Sequence, residues 1–394
     1  MRDRLTVAFS FALIFSFSSI DSAISPLVGP IHEHFGVPLD QALWLISSAT
    51  AGIVLGVLAG PALTSSLRVG RVLGAGVLGL VLAHALFLLS ASFPMALALR
   101  FVFGLSCGAV ASVMWWLTFH GVAKEYYPAM IVVLMSARPL ATAIGVPAVG
   151  LAAARSDWLL PLWVMGGLIA ASGAGLCWVL HEPPGEKRPL RLGRVAGEYV
   201  EALRVPYARA YYAGLTINRM CYFGFYALSG IWFMRHYGLG LEAISMSLLV
   251  IGLAEALVNF LVPRMIRAWG HDRLFTGSLV LSGLLLPLFL GGRLPLVPAV
   301  AAVTAFMLLD RVYSMAAVIT IPRMFPVTGN KTTFGSLNTL TAWLGLTLIS
   351  AFAGRFTESI GLGGMAWVLG ACFVAGSALL YWVQKRTVLG RIGP

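Results

Sequence analysis

Charged residues are scarce in this chain. Its 394 residues include only 27 lysines and arginines and 15 aspartates and glutamates, so 11% of the sequence is charged while 59% is hydrophobic. About a quarter of the residues in an average soluble domain are charged. Such a low content cannot cover the surface of a water-soluble globule of this length. The composition therefore excludes a soluble protein and indicates that lipid is the solvent for most of the chain.

Cysteine pairs and the motifs of common enzymes are also lacking. The four cysteines, Cys107, Cys177, Cys221 and Cys372, lie in apolar stretches without CxxC spacing, so we expect neither disulfides nor a zinc site. The sequence contains no HExxH and no phosphate-binding glycine loop. The paired methionines or histidines that suit copper at one helical turn are missing too. We therefore predict no enzyme, no resident metal and no cofactor.

The net charge of +12 has a different origin from that of a nucleic-acid-binding protein. The basic residues lie in short caps between apolar runs and not in patches interleaved with aromatic residues, so we expect no nucleic acid partner. If the N-terminus is cytoplasmic, most of the 27 basic residues fall on that side, and the opposite side holds only Arg155, Arg235, Arg293 and Arg355. This bias predicts a multi-pass protein of the cytoplasmic (inner) membrane with both termini in the cytoplasm.

Apolar runs bounded by charges, prolines and glycine clusters predict twelve membrane-spanning helices. Each is close to the ~20 residues that cross a hydrocarbon core of about 30 Å, and the fold class is therefore all-α integral membrane. The first run resembles a signal peptide, but it contains Asp21 and precedes many further spans, so we interpret it as an uncleaved helix. The predicted spans cover residues 5–29, 41–64, 72–92, 94–119, 128–154, 158–180, 207–233, 242–262, 274–292, 295–321, 333–354 and 361–383.

One long polar segment divides the spans into two sets of six. Residues 181–206 form a predicted cytoplasmic linker between an N-terminal bundle, 1–180, and a C-terminal bundle, 207–394. Apolar residues recur at helical spacing from Leu192 to Leu203, which predicts an amphipathic helix on the membrane surface, most simply a tether. The loops around Gly70 and Gly270 resemble each other half a chain apart. Duplicated halves indicate two bundles related by a pseudo-twofold axis, with a cavity between them.

Four short patterns carry a resemblance to a known family. They are the loop Arg68-Val-Gly70-Arg71, the span-four pattern Arg100-xxx-Gly104-xxx-Gly108, Asp21 followed by Pro26 in span one, and Gly145-Val-Pro147-xx-Gly150 in span five. Together with the twelve spans, the patterns resemble the major facilitator superfamily over essentially the whole chain, most closely its drug:proton antiporters. The loop departs from the family motif, because Leu67 replaces its acidic residue and Leu63 its first glycine.

The resemblance implies a secondary active transporter that works by alternating access. A small organic molecule and protons are the implied partners, in a monomer embedded in the lipid bilayer, and the drug:proton branch implies proton-coupled efflux of an amphipathic or anionic compound. A facilitative or proton-symport importer of an organic anion or nutrient is the alternative. The glycines, the proline and the loop arginines of the four patterns are then expected to serve the conformational change.

Ionisable side chains at membrane depth are the candidates for the mechanism, since each costs about 2.5–3.5 kcal/mol to insert. Asp21 and Arg100 lie at matching depths, and we expect them to pair as a proton-coupled switch or as a static salt bridge. A bridge between Arg138 and Glu255 across the boundary of the two halves is expected, or separate partners for each, either backbone carbonyls or Asn259. The predicted proton-coupling residues are Asp21, Arg100, Glu255 and Asp310.

The substrate is expected to contact a second set of residues. Four intramembrane arginines against three carboxylates leave a positive excess that favours an anion, unless each arginine has a structural partner. Asp310 and Arg311 point about 100° apart on their helix, so only one of them is expected to face the pathway. Aromatic residues line the substrate or pack as interfacial anchors. The predicted substrate-binding residues are Arg138, Arg219, Arg311, Asn218, Tyr222 and Trp115.

Overall fold

The computed structural model describes residues 1–180, 192–290, 294–324 and 331–387, and these residues form helices and short connections without any strand. The helices of the N-terminal part are α1 (Arg2–Ala23), α2 (Val28–Phe35), α3 (Trp44–Ser66), α4 (Val69–Leu88), α5 (Phe93–Trp116), α6 (Tyr127–Leu140), α7 (Val146–Arg155) and α8 (Leu159–Val179). The others are α9 (Leu192–Arg204), α10 (Ala208–Tyr237), α11 (Leu241–Trp269), α12 (His271–Leu290), α13 (Leu296–Met324) and α14 (Lys331–Thr387).

The predicted twelve-helix, two-bundle fold is confirmed. Among the described residues, ten segments are long and apolar enough to cross a bilayer. Helix α10 is not among them because polar residues interrupt it, although its 30 residues would reach about 45 Å. Helix α14 counts as a single segment but bends at Gly361, whose φ of 70° suits glycine, and so provides two crossings. Helices α6 and α7 form one crossing together.

The two halves repeat one packing pattern. In the N-terminal half α5 packs between α3 and α4, while α8 contacts both α1 and α4. In the C-terminal half α13 packs between α11 and α12, while α14 contacts both α10 and α12. These helices therefore meet corresponding neighbours in the two halves, as the predicted pseudo-twofold relation requires.

Prolines change two of the predicted spans. The first helix ends at Ala23, and the separate helix α2 begins at Val28, because Pro26 has no N–H to donate and disfavours helical geometry in the residue before it. The fifth crossing contains a π-helical segment, Ala141–Gly145, between Pro139 and Pro147. Such π-segments in otherwise regular helices are frequent at functional sites.

The linker contains the predicted helix. Helix α9 contacts α3, α10 and α14, and Ala202 on its inner face is buried. Residues 181–191, 291–293, 325–330 and 388–394, which the predicted linker and C-terminal bundle include, lie outside the described residues. We call the side of the molecule that holds Arg2, Val179 and α9 the terminal face, and the opposite side the distal face.

Candidate functional site

Asp21 lies between two arginines inside the N-terminal half. One carboxylate oxygen accepts a hydrogen bond from Nη2 of Arg100 at 3.1 Å, and the other accepts from Nη2 of Arg138 at 3.3 Å. Asp21 and Arg100 are almost fully buried, whereas the Arg138 side chain is 29% exposed. The structure therefore brings together the predicted Asp21–Arg100 pair and adds Arg138. We call these three residues the Asp21 triad.

The buried arginine of the triad is held by aromatic rings. The Arg100 guanidinium lies 5.1 Å from the ring centre of Phe103 and 5.8 Å from that of Phe87. Its Nε and Nη1 groups have no protein partner. His84 packs on the same two rings and bonds the carbonyl oxygen of Leu162 through Nε2 at 2.9 Å. Arg100 is thus a fixed positive charge with a single carboxylate partner.

Arg138 connects the triad to the other half of the molecule. Its guanidinium carbon lies 3.9 Å from the ring centre of Trp343, which belongs to α14. This distance is well within the range in which a cation is attracted to an aromatic face. The side chain is 29% exposed, pairs with Asp21 in its own half and stacks on Trp343 across the boundary. Arg138 is therefore the exposed positive group of the triad.

A second cluster lies in the C-terminal half around Tyr222. The Tyr222 hydroxyl donates to a carboxylate oxygen of Glu255 at 2.7 Å and accepts from Nη2 of Arg311 at 3.0 Å. Glu255 and Arg311 themselves are 3.7 Å apart. Glu255 is nearly buried and Arg311 is 27% exposed. This Tyr222 cluster comprises three helices, since its residues belong to α10, α11 and α13.

Asp310 has partners different from those of its neighbour Arg311. The Tyr313 hydroxyl donates to Asp310 at 2.6 Å and also contacts the Asn218 side-chain oxygen. Asn218 in turn donates to the Ser377 hydroxyl at 2.8 Å. Asp310 is buried, whereas Arg311 is partly exposed. The two side chains therefore differ in exposure, as their separation of about 100° around the helix implies, and the more exposed one is Arg311.

Arg219 is committed to a neighbouring helix. Its Nη1 donates to the Asn338 carbonyl oxygen at 2.5 Å and to the Thr341 hydroxyl at 2.6 Å, and its Nη2 reaches the Asn338 side-chain oxygen at 3.2 Å. These bonds join α10 to α14. Arg219 therefore has structural partners within the protein, which is the alternative to substrate binding that the sequence left open for the buried arginines.

One expectation about these residues is wrong, and that for Trp115 stays a prediction. The predicted Arg138–Glu255 bridge is wrong for this conformation, because Arg138 pairs with Asp21, and Glu255 pairs with Arg311 and Tyr222. The side chain of Asn259, the other partner considered, lies outside the described residues. Trp115 lies fifteen residues, or about 22 Å of helix, from Arg100 toward the terminal face and is 38% exposed. It is therefore remote from the Asp21 triad.

Sequence reasoning missed Tyr313 and the pairing of Trp343 with Arg138. Tyr313 follows Asp310 by three residues, a spacing that places both side chains on one helix face. That spacing was a usable signal for Tyr313. No sequence signal joins Arg138 to Trp343, because they are on different halves and more than 200 residues apart.

The glycines of span four allow close helix packing. A Cβ on Gly104 would lie 1.8 Å from the carbonyl oxygen of Ala49, and one on Gly108 would lie 2.6 Å from that of Ile53. Helices α3 and α5 therefore touch backbone to backbone, as small residues permit in membranes. Gly104 to Gly108 also fits the Gly-x-Ser-x-Gly spacing of hydrolases, but Ser106 lies inside α5 and not on a strand-to-helix turn.

The span-five pattern lies where two halves of the molecule meet. A Cβ on Gly145 would lie 2.0 Å from Oγ of Ser19 in α1, and one on Gly150 would lie 2.0 Å from Oγ of Ser245 in α11. Pro147 is buried at the start of α7.

The loop pattern lies elsewhere, on the terminal face. Arg68 is the extended residue before α4, and Gly70 faces Leu180. Arg68 and Arg71 are exposed.

Hydrogen bonds between the two halves lie toward the distal face. The Ser25 hydroxyl donates to the carbonyl oxygen of Tyr226 at 2.8 Å and lies 3.1 Å from the Ser229 hydroxyl. The Thr347 hydroxyl donates to Thr50 at 2.8 Å. The buried Asp40 accepts from the Glu358 backbone N–H at 3.1 Å, and at the surface Arg155 pairs with Glu242 at 2.9 Å. We call these contacts the distal seam.

Comparisons with known proteins agree with the architecture. Residues 8–322 match the family model described as the Major Facilitator Superfamily. The chain is 23% identical over 369 residues to an uncharacterized MFS-type transporter, YceJ, of Bacillus subtilis (strain 168), covering 89% of this chain and 88% of that protein.

Two solved structures share the fold at low identity. The crystal structure of a mutant of the peptide transporter POT in complex with alafosfalin has a TM-score of 0.77 at 13% identity and covers 98% of this chain and 95% of that one. The crystal structure of the human organic anion transporter MFSD10 (TETRAN) has a TM-score of 0.67 at 17% identity, with 96% and 99% covered.

Proposed function

Because this chain belongs to the Major Facilitator Superfamily, whose members carry solutes across membranes, we propose that it moves a small organic anion together with protons by alternating access. It is a multi-pass membrane transporter and not an enzyme. The observation that carries the proposal is the Asp21 triad, in which one buried carboxylate serves two arginines and one of those arginines is exposed.

The charge of the triad favours an anionic substrate. With Asp21 ionised, its two arginines leave one net positive charge, and the exposed guanidinium is that of Arg138. A planar guanidinium offers a fork of donors that matches a carboxylate or a phosphate. Arg311 is a second partly exposed guanidinium, on the facing half. The known substrate class of the structural relative MFSD10, organic anions, is consistent with this assignment.

The geometry of the Asp21 triad also predicts whether the proton and the substrate anion move in the same or in opposite directions. When Asp21 takes up a proton, Arg138 loses its carboxylate partner and becomes available to the substrate anion. Conversely, an anion that draws Arg138 away from Asp21 favours protonation of that carboxylate. By thermodynamic reciprocity each ligand promotes binding of the other. Proton and anion are therefore expected to cross the membrane in the same direction, which is the symport alternative from the sequence.

The orientation that we propose follows from the distribution of charges. Basic residues such as Arg2, Arg68, Arg71 and Arg264 lie on the terminal face, which we assign to the cytoplasm by the positive-inside rule. The distal seam then lies on the outer side, where its contacts join the two halves in this conformation. The partners that we assign are the substrate, protons and lipid. We assign the protein itself to the cytoplasmic membrane as a monomer.

Proton-driven efflux of an amphipathic cation is the second candidate. The span-four pattern resembles that of drug:proton antiporters, and the Glu255–Arg311 contact of 3.7 Å is long for an ion pair. A cation that displaced Arg311 would compete with a proton for Glu255, which is the arrangement that exchange requires. This candidate predicts opposite directions for substrate and proton.

Transport by the purified protein in liposomes separates these possibilities. An imposed pH gradient should drive accumulation of an organic anion into the more alkaline compartment. Asp21→Asn should retain downhill anion flux but lose at least tenfold of the gradient-driven accumulation, since Asn keeps the side-chain volume without a titratable group. Asp157→Asn, a carboxylate on the distal surface, is the matched control.

Three results would contradict the proposal. If the Asp21→Asn variant accumulates the organic anion as fully as the wild type under a pH gradient, Asp21 does not couple transport to protons. Accumulation of lipophilic cations on the acidic side, with no anion flux, would establish the exchange candidate instead. Anion flux that ignores the pH gradient in the wild type would identify a uniporter.

A further inference from the structure

The junction between the linker helix and the C-terminal half contains a cleft that the transport site does not use. It is a surface cleft of about 480 Å³ on the terminal face. Its walls come from the end of α9, the start of α10 and the end of α14. The apolar wall includes Leu203, Val205, Ala210 and Trp382, while Arg204 and Arg209 contribute the basic groups. We call it the linker cleft.

Aromatic side chains form one side of the linker cleft. Tyr207 and Trp382 pack edge to face with ring centres 5.6 Å apart, and both remain about two-fifths exposed. Tyr207 has a φ of 66°, the single positive φ among the described residues other than glycine. Such a conformation persists only where the surroundings enforce it. Tyrosine and tryptophan are typical of the depth at which lipid headgroups meet the acyl chains.

Basic side chains surround the mouth of the cleft. Nε of Arg209 donates to the Leu203 carbonyl oxygen at 3.1 Å, which holds its guanidinium at the rim. Arg204 is exposed beside it. Lys385 and Arg386 are exposed three and four residues after Trp382, on the same face of α14. The rim is therefore a cluster of four cations at the edge of an apolar groove.

Acidic groups near the rim do not cancel these charges. Glu201 is exposed one turn before Arg204 on α9. Asp272 bonds the Gln384 side chain at 3.1 Å, and Gln384 points away from Trp382, because the two are separated by about 200° around the helix. The described rim thus carries four positive charges against one exposed carboxylate.

From this arrangement we propose that the linker cleft binds an anionic phospholipid of the leaflet on the terminal face. The phosphate lies between Arg204 and Arg209, with Lys385 and Arg386 close by, and an acyl chain follows Ala210 and Trp382 toward the membrane core. A small soluble anion would leave the apolar wall uncovered, whereas an amphiphile covers the wall and the rim together. The lipid joins α9 to α10 and α14, and so connects the linker to the C-terminal half.

Lipid binding to the full-length purified protein tests the proposal without any transport assay. Delipidated wild type is titrated with phosphatidylglycerol or phosphatidylcholine, and bound lipid is counted by native mass spectrometry. The wild type should prefer phosphatidylglycerol. Since each cation near a membrane surface contributes roughly 1 kcal/mol, the double variant Arg204→Gln/Arg209→Gln should bind it about 30-fold more weakly.

Controls distinguish specific lipid binding in the linker cleft from non-specific attraction to a basic terminal face. Arg264→Gln/Arg267→Gln removes two exposed cations from the same face outside the cleft and should leave binding unchanged. A phosphatidylglycerol with brominated acyl chains should quench tryptophan fluorescence in the wild type, and Trp382→Phe should lose that portion of the quenching. Size-exclusion profiles and melting temperatures in detergent confirm that each variant is folded.

Each remaining outcome overturns the proposal. Equal loss of binding in the two double variants would show that only the overall charge of the face matters. Displacement of the lipid by millimolar inorganic phosphate would indicate a site for a free anion. Equal binding of phosphatidylcholine and phosphatidylglycerol would show that the arginines do not select an anionic headgroup.

Discussion

At the scale of single residues, the hydrogen bonds and ring contacts of the Asp21 triad explain why its charged side chains can be buried. An isolated charge at this depth is expensive, and a buried pair is stable only when its hydrogen bonds are well formed. Asp21 satisfies both oxygens with arginines, and Arg100 is further surrounded by Phe87 and Phe103. Exchange of one partner is therefore possible only at Arg138, the exposed member.

Trp343 is expected to set the strength of substrate binding through Arg138. Loss of the ring in Trp343→Leu removes an attraction of about 0.5–2 kcal/mol, so anion affinity should fall about 2- to 30-fold. Trp343→Phe, which keeps an aromatic face, should lose less. Substrate-protected labelling or equilibrium binding of the anion measures the effect.

A tryptophan far from the boundary provides the control for that experiment. Trp367 is 83% exposed on α14, and Trp367→Leu should leave anion affinity unchanged. If Trp343→Leu binds the anion as tightly as the wild type, Arg138 does not depend on the ring, and the contact at 3.9 Å is packing alone.

At the scale of helices, glycine determines how closely α3 and α5 approach. Gly52 and Gly56 on α3 face Gly104 and Gly108 on α5, and a Cβ at any of them would collide with the backbone of the other helix. Without a hydrophobic driving force between helices in lipid, such close contact is a major source of helix association. The pair forms a rigid frame that positions Arg100 opposite Asp21.

Gly104→Ala is therefore expected to destabilise the protein. The new methyl group would lie 1.8 Å from the Ala49 carbonyl oxygen, and overpacking of this kind costs about 1–3 kcal/mol. The melting temperature of the purified protein should fall. Gly74→Ala is the matched control, because nothing lies within 4 Å of a Cβ there and alanine favours the helix. Equal melting temperatures for both variants would argue against the frame.

At the scale of the whole molecule, the distal seam joins the two bundles on the distal side of the proposed pathway. Its contacts combine hydroxyl groups inside the boundary, such as Ser25 with Ser229, and charged groups at the surface, such as Arg155 with Glu242. The exposed pair contributes little, because solvent screens it. Alternating access requires the whole seam to separate once per cycle.

A reversible cross-link across the seam should stop transport. The hydroxyl oxygens of Ser25 and Ser229 are 3.1 Å apart, so Ser25→Cys/Ser229→Cys in a Cys177→Ser background is placed to form a disulfide under oxidation. Transport should disappear when the bond forms and return on reduction. Each single cysteine variant is the control. Undiminished transport by fully cross-linked protein would mean that the seam does not open.

The sequence by itself determined the membrane architecture and the depth of each buried charge. Apolar run length specifies a crossing because the bilayer thickness is fixed, and rise per residue converts position into depth, which is why Asp21 and Arg100 were matched correctly. The prolines near Ala23 and Ala141 shifted helix ends that run length alone does not define.

Only the tertiary structure decided which partner each charge takes. Partner choice depends on how each helix is rotated and on which helices adjoin it, and depth specifies neither. Arg138 and Glu255 share a depth, yet the rotation of α6 turns Arg138 toward Asp21 and Trp343, while Tyr222 and Arg311 hold Glu255. The coupling sign we propose depends on this choice, because it follows from which arginine the proton-binding carboxylate releases.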